Sequence, residues 1–297
     1  MLFPVSGVET PIWVPPLVAF GISYCTSMAG VSGAFLILPF QMSVLGFVSP
    51  AVSATNLVYN VVAIPSGVYR YVREGRLIWP LTWIVVVGTL PGLVLGVFIR
   101  LTYLPNPKPF KAFVGCVLLY IGARLFWDIV KAPGKTQPKE KPKDWSVVVE
   151  EFSYRRLAFL FQGQRHECPT VGVFILSLVV GVIGGTYGIG GGAIIAPFFV
   201  AIYGLPVHTV AGATLMGTFV TSVAGVAFYR LLQPFYVSTG MAVAPDWLLG
   251  FLFGVGGLAG MYLGARTQRF VSARILKTFL GILLLAVALR YLAGYFF

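Results

Sequence analysis

Lys111-Ala112-Phe113-Val114-Gly115 opens a leucine-rich stretch that runs to Arg124; 166 residues further on, Lys277-Thr278-Phe279-Leu280-Gly281 opens another that runs to Arg290. The lysine, phenylalanine, glycine and arginine fall at identical spacing in both. Upstream, Gly92-Leu93-Val94-Leu95-Gly96 matches Gly260-Met261-Tyr262-Leu263-Gly264. Ser32-Gly33 followed by Pro39-Phe40 matches Gly190-Gly191 followed by Pro197-Phe198, and Ala54-Thr55 matches Ala213-Thr214 one residue out of step. The chain is a duplicated unit. Duplication of a hydrophobic bundle is a common sequence signature of a secondary transporter.

Both copies are too apolar for water. Hydrophobic residues make up 58% of the chain and charged residues only 10%, with a mean hydropathy of +0.88; a soluble domain carries about 25% charged residues. No Asp, Glu, Lys or Arg occurs in residues 10–69 or 168–229, and each run far exceeds the roughly 20 residues one helix needs to cross a bilayer. The fold class expected is an all-α polytopic membrane protein. A β-barrel is excluded because its strands alternate polar and apolar residues. The net charge of +12 fits cytoplasmic loops that fix orientation beside anionic headgroups, so no nucleic-acid partner is expected. Cys25, Cys116 and Cys168 show neither metal spacing nor a disulfide framework. The N-terminal stretch lacks a basic n-region and reads as a retained helix.

Residues 1–130 form one membrane repeat and residues 170–297 the other. Between them, 131–169 is a basic cytoplasmic linker broken by prolines. Within it, Val147, Val148, Phe152, Leu157, Phe159 and Leu160 alternate with Glu150, Glu151, Arg155 and Arg156. An amphipathic surface helix and a partly ordered loop both fit that stretch.

In each repeat the first apolar run, 15–48 and 170–203, is too long for one span and short for two. Glycines and then a proline interrupt each near its middle. Each therefore reads as two short helical legs meeting at a glycine-rich tip, since broken backbone at membrane depth is tolerated only inside protein or beside a wet cavity. Three spanning helices follow in each half. A hairpin makes the number of crossings odd and the repeats inverted. With the linker inside, Arg70, Arg73, Arg76, Arg266, Arg269, Arg274, Lys277 and the linker cations are then cytoplasmic, and only Arg100, Lys108, Lys111, Arg230 and Arg290 lie outside. Parallel repeats would put more of the cations outside, so the positive-inside rule favours the inverted arrangement.

The sharpest local signal is Gly188-Ile189-Gly190-Gly191-Gly192, with Pro197 after it; its counterpart is Gly30-Val31-Ser32-Gly33 before Pro39. Glycines let backbone N–H groups approach a ligand, and a helix starting there aims its positive dipole end at the break. That makes an anion site with no buried cation. Close packing of small residues is the competing reading.

These residues, the G-x-G-G-G-x-x-x-x-P signature at 188–197, its degenerate copy at 30–39 and the Ala-Thr pairs that follow, resemble the TauE/SafE sulfite exporter family, also grouped with toluenesulfonate uptake permeases. The resemblance covers nearly the whole chain outside the linker. It implies a multi-pass protein of the cell's cytoplasmic membrane that transports a small sulfur-containing anion such as sulfite or an organosulfonate. Ser32 replaces a motif glycine, which implies a less open break in the first half.

Polar residues inside the apolar helices complete the candidate site. Thr55, Asn56 and Asn60 share roughly one helix face, as do Thr214 and Thr218, and Gln41 follows Pro39-Phe40. They suit either the oxygens of a sulfonate or interhelical hydrogen bonds. His208, the one histidine within a membrane half, is a candidate proton carrier or an interfacial helix-end group. No carboxylate lies at the centre of a helix, and no nucleophile–base pair or metal spacing appears, so neither an enzyme nor a metal or cofactor is expected. Transport of another small solute and a non-transporting scaffold stand as alternatives, and a homo-oligomer stays open.

Overall fold

The computed structural model describes residues 1–29, 32–73, 75, 77–131, 147–267 and 273–296. The two glycine-broken runs form paired legs. In the first half these are α1 (Val14–Ala29) and α2 (Ala34–Ser43); in the second, α7 (Thr170–Tyr187) and α8 (Ile195–Tyr203), joined through a 3₁₀ turn at Gly191–Ala193. Leg α8 returns alongside α7, because the Tyr203 hydroxyl reaches 2.7 Å from where a Cβ on Gly172 would stand.

The remaining first-half helices are α3 (Ala51–Ala63), α4 (Pro65–Arg73), α5 (Trp79–Thr102) and α6 (Pro107–Lys131). The second half has α9 (Val207–Tyr236), α10 (Trp247–Thr267) and α11 (Ala273–Phe296). Among the described residues, seven helical stretches are long and apolar enough to cross a membrane. One expected span is thus two helices. Pro65 has no N–H to continue the helix, so α3 ends at Ile64, whose N–H still reaches Asn60 O at 3.0 Å, and α4 restarts on the proline.

The amphipathic helix considered for the linker is replaced by a sheet. Strands β1 (Val147–Phe152), β2 (Arg156–Phe161) and β3 (Gln164–Pro169) pair antiparallel in sequence order. Gln162 and Gly163 sit at φ 52° and 74° between the paired residues Phe161 and Gln164. That is the two-residue hairpin turn whose twist matches the strands. Leu157, Ala158 and Phe159 are fully buried. Burial, followed by the adjoining Glu167 carboxylate, pushes the Cys168 thiol up to about 11.

The two halves pack by exchange. Gly88, Gly92 and Gly96 of α5 press on the Phe174, Leu178 and Val182 carbonyls of α7. Gly256, Gly260 and Gly264 of α10 press on the Pro16, Phe20 and Tyr24 carbonyls of α1 in the same way. Both pairs run parallel, and each joins the first leg of one half to the fourth-position helix of the other. Small residues let membrane helices approach this closely, where dispersion and Cα–H···O contacts replace the missing hydrophobic drive.

Equivalent helices also meet directly, and they run antiparallel. Gly225 and Ser222 of α9 touch Leu57 and Asn60 of α3, while Leu215 touches Gly67 of α4. Gly115 of α6 lies 3.2 Å from Ala288 O of α11, and Gly122 lies 3.4 Å from Gly281 O, measured at their would-be Cβ positions. Following these directions through the chain puts the described part of the linker, residues 147–169, with Arg73, Arg266 and Arg274 at one face of the bundle. Arg100, Lys108, Lys111, Arg230 and Arg290 lie at the other.

Gly92→Leu is expected to destabilise the bundle by about 1–3 kcal/mol or more, because its side chain would have to displace the α7 backbone. Gly294→Leu, which faces open space, should be neutral. Thermal unfolding in detergent checks both.

Candidate functional site

The two broken segments meet at one side chain. Asn56 Nδ2 on α3 donates to Ala34 O, at the tip of the first hairpin, at 3.2 Å and to Gly188 O, at the tip of the second, at 2.9 Å. One turn on, Asn60 Nδ2 donates to Ile189 O at 2.8 Å and to Ser222 Oγ at 3.3 Å. Backbone carbonyls only accept, so this contact sets the orientation of both amides. Tyr187 ties the tips a second time, its hydroxyl donating to Phe35 O at 2.9 Å. Asn56, Asn60 and Tyr187 are all fully buried.

The second break has a defined backbone. Gly188 closes α7 in a left-handed conformation, with its N–H on Gly184 O, and Gly190 takes φ 79° and ψ 144°, which L residues avoid. The Gly191 N–H is held by Thr221 Oγ1 at 3.1 Å. Gly192 presses on the Thr214 carbonyl and on Thr218 of α9. The hydroxyls of Thr214 and Thr218 bond back to Ala211 O and Thr214 O of their own helix.

In the first half, Gly30 lies outside the described residues. Ser32 Oγ accepts from the Ala34 N–H at 3.3 Å. Gly33 packs so closely that a Cβ there would lie 2.5 Å from the Tyr59 hydroxyl, which shares a 2.9 Å hydrogen bond with Ser23. Thr55 faces elsewhere: its Oγ1 accepts from Asp246 N at 2.9 Å. Asp246 is itself committed to the Leu249 N–H and to Ser6, and caps α10. Gln41 is fully buried, with neither its amide nitrogen nor its oxygen paired. His208 falls in the first turn of α9, and its side chain lies outside the described residues.

This arrangement changes the roles assigned to the asparagines. Both hydrogens of the Asn56 NH₂ go to the breaks and those of Asn60 to Ile189 O and Ser222 Oγ, leaving unpaired the Oδ1 oxygens of Asn56 and Asn60 together with both ends of Gln41. The asparagines brace the broken backbone. Beside the second break stands a residue that the sequence places outside the helices, Arg100. It is fully buried at the last turn of α5. Its Nε lies 3.4 Å from Ser53 Oγ, its Nη1 reaches Leu104 O, and its guanidinium covers the Phe110 ring at 3.7 Å, leaving Nη2 unpaired. Gly188 packs directly on the Ser53 backbone, so a buried cation stands one residue from the second break. The missed signal was position: an arginine at a helix end, next to a loop, looks solvated. Among the described residues, no group of His, Cys, Asp and Glu could hold a metal ion.

Seven apolar spans around a buried polar centre made of broken helices define a polytopic membrane transporter. Residues 16–291 match the sulfite exporter TauE/SafE family, and the chain belongs to it. It is similar to the probable membrane transporter protein YunE of Bacillus subtilis (strain 168), with 23% identity over 274 residues, covering 88% of this chain and 90% of that protein. No solved structure matches the chain. The family is one of transporters, so the protein is a multi-pass membrane transporter of a small solute and not an enzyme.

Asn56→Leu leaves the Ala34 and Gly188 carbonyls buried without donors, at about 1–3 kcal/mol each. A marked drop in thermal stability in detergent is the expected result. Gln41→Leu removes atoms that already lack partners and should unfold no earlier than the unmodified protein.

Proposed function

We propose that this chain is a secondary transporter or facilitator that moves small sulfur-containing anions, sulfite or an organosulfonate, out across the cytoplasmic membrane by alternating access. The observation that carries this reading is the meeting of both broken segments at Asn56, with the buried Arg100, whose Nη2 lacks a partner among the described residues, one residue from the second break. A buried, uncompensated guanidinium is costly, and an oxyanion with several acceptor atoms is the ligand that relieves it. The family name adds sulfite as the first substrate to test.

The antiparallel run of equivalent helices supports inverted repeats, the architecture in which a central site opens to either side. The linker face carries most of the cations, which supports placing it in the cytoplasm. Export then needs no proton relay. With a negative interior, 100 mV contributes about 2.3 kcal/mol per charge toward the outside. A permease for another small solute is the second reading. The unpaired Oδ1 oxygens of Asn56 and Asn60 favour it, since they suit a solute that brings its own donors.

Proteoliposomes holding the purified protein, loaded in turn with sulfite, thiosulfate, sulfate and an organosulfonate, test the proposal. Flux of at least one of these anions is expected to follow an imposed membrane potential and to persist in His208→Gln. In Arg100→Gln it should fall by about tenfold or more, the order expected for losing a charged hydrogen bond. Flux that tracks a pH gradient and ignores potential would overturn the uniport and make His208 the leading proton carrier. A protein that moves none of the four anions would leave the alternative solute.

A further inference from the structure

On the face opposite the linker, the end of α2, the start of α6 and the end of α11 enclose a cavity of about 370 Å³. Lys108, Lys111 and Arg290 line it, and no Asp or Glu does among the described residues. Its inner wall is Tyr291, whose hydroxyl shares a 2.6 Å hydrogen bond with Ser43 and reaches Pro39 O at 3.2 Å. Two residues before Ser43 stands Gln41, buried with both amide ends unpaired. The fully buried Arg100 lies beneath, its guanidinium on the ring of Phe110, between Lys108 and Lys111 in α6.

Of the five Lys and Arg residues at this face, three, Lys108, Lys111 and Arg290, line this one place. Cations are scarce on the outer side of membrane proteins. Gathering three of them repels each from the others unless something negative sits among them. The ammonium groups are also oriented: Lys108 Nζ lies 6.0 Å from the Tyr295 ring and Lys111 Nζ 5.8 Å from the Tyr291 ring.

We propose that this cavity is an oxyanion-binding vestibule, which holds a small hydrated anion such as sulfite or methanesulfonate after it has passed from the first break and Gln41 by way of Tyr291–Ser43, before its release. The proposal rests on the reading of the chain as a transporter of such anions and adds residues that reading does not use. Its volume is several times the roughly 30 Å³ that one water occupies in the liquid, so the ion enters with part of its hydration shell. Binding is therefore loose enough to release the ion. Arg290 supplies a planar fork for two oxygens and the lysines supply point charges. The repeat provides a counterpart at the linker face: Lys108, Lys111 and Arg290 correspond to Arg274, Lys277 and Arg124, all basic, on the same antiparallel helix pair. A crossing anion thus meets one basic triad at each mouth.

Equilibrium binding of radiolabelled sulfite and methanesulfonate to the full chain, in nanodiscs of phosphatidylcholine alone, tests the vestibule. The unmodified protein is expected to bind at least one of them, more weakly as salt rises. K108Q/K111Q/R290Q should raise Kd by about tenfold or more, while R230Q, on the same face but away from the cavity, should change it by less than about twofold. If the triple variant fails to fold, K108Q at its exposed position should still weaken binding measurably. An unchanged Kd in a folded triple variant overturns the proposal, and so does the absence of binding to the unmodified protein at millimolar anion. Discs containing phosphatidylglycerol form the second arm. Lipid retained by the unmodified protein and lost from the triple variant, with anion binding in phosphatidylcholine equal in both, assigns the cluster to lipid headgroups and overturns it as well. Flux is read separately. Binding through the triad without any anion crossing would remove the transport reading and leave the vestibule in place.

Discussion

A backbone carbonyl left without a donor in hydrocarbon costs several kcal/mol, and this protein breaks two helices at depth. Asn56 is where that constraint is met for both at once. A single amide satisfies Ala34 O in one half and Gly188 O in the other, and Asn60 repeats the service for Ile189 O. Neither tip can shift without breaking a hydrogen bond that the other shares. The glycine conformations at 188 and 190, the threonine hold on the Gly191 N–H and the tyrosine bridge from 187 to 35 all build on that joint.

Arg100 alters the electrostatic picture that dipoles alone would suggest. Helix ends offer partial charges that favour an anion without holding it. A guanidinium buried beside Ser53, with one nitrogen unpaired, places a full charge one residue from the second tip. Its contacts to Leu104 O and the Phe110 ring hold it at the end of α5.

Much of the architecture could be read from the residues. Runs 15–48 and 170–203 carry no charge and have glycines followed by a proline, and they become the paired legs α1/α2 and α7/α8. Hydropathy and glycine chemistry act locally, which is why they are legible. Four features are not legible because they depend on context. The Gln162-Gly163 turn is a weak signal inside a stretch whose apolar and charged residues also suit a helix, so the three-stranded sheet was not foreseen. Pro65 cuts a span that hydropathy reads as continuous. Asn56 and Asn60 were recognised as polar residues at depth, but which of their atoms stay free depends on carbonyls more than a hundred residues away. Arg100 escaped for a similar reason, since the ring that covers it belongs to the next helix.

The glycine seams carry a consequence for how the halves hold together. Each half keeps the seam helix, α5 or α10, but the leg that fills it belongs to the other half. One copy of the repeat alone would turn Gly88, Gly92 and Gly96, or their counterparts, toward lipid with nothing to close on them. The two halves are therefore interlocked: neither could be cut from the other at the linker without opening a glycine seam to lipid, and the packing of α1 on α10 and of α5 on α7 crosses the repeat boundary twice.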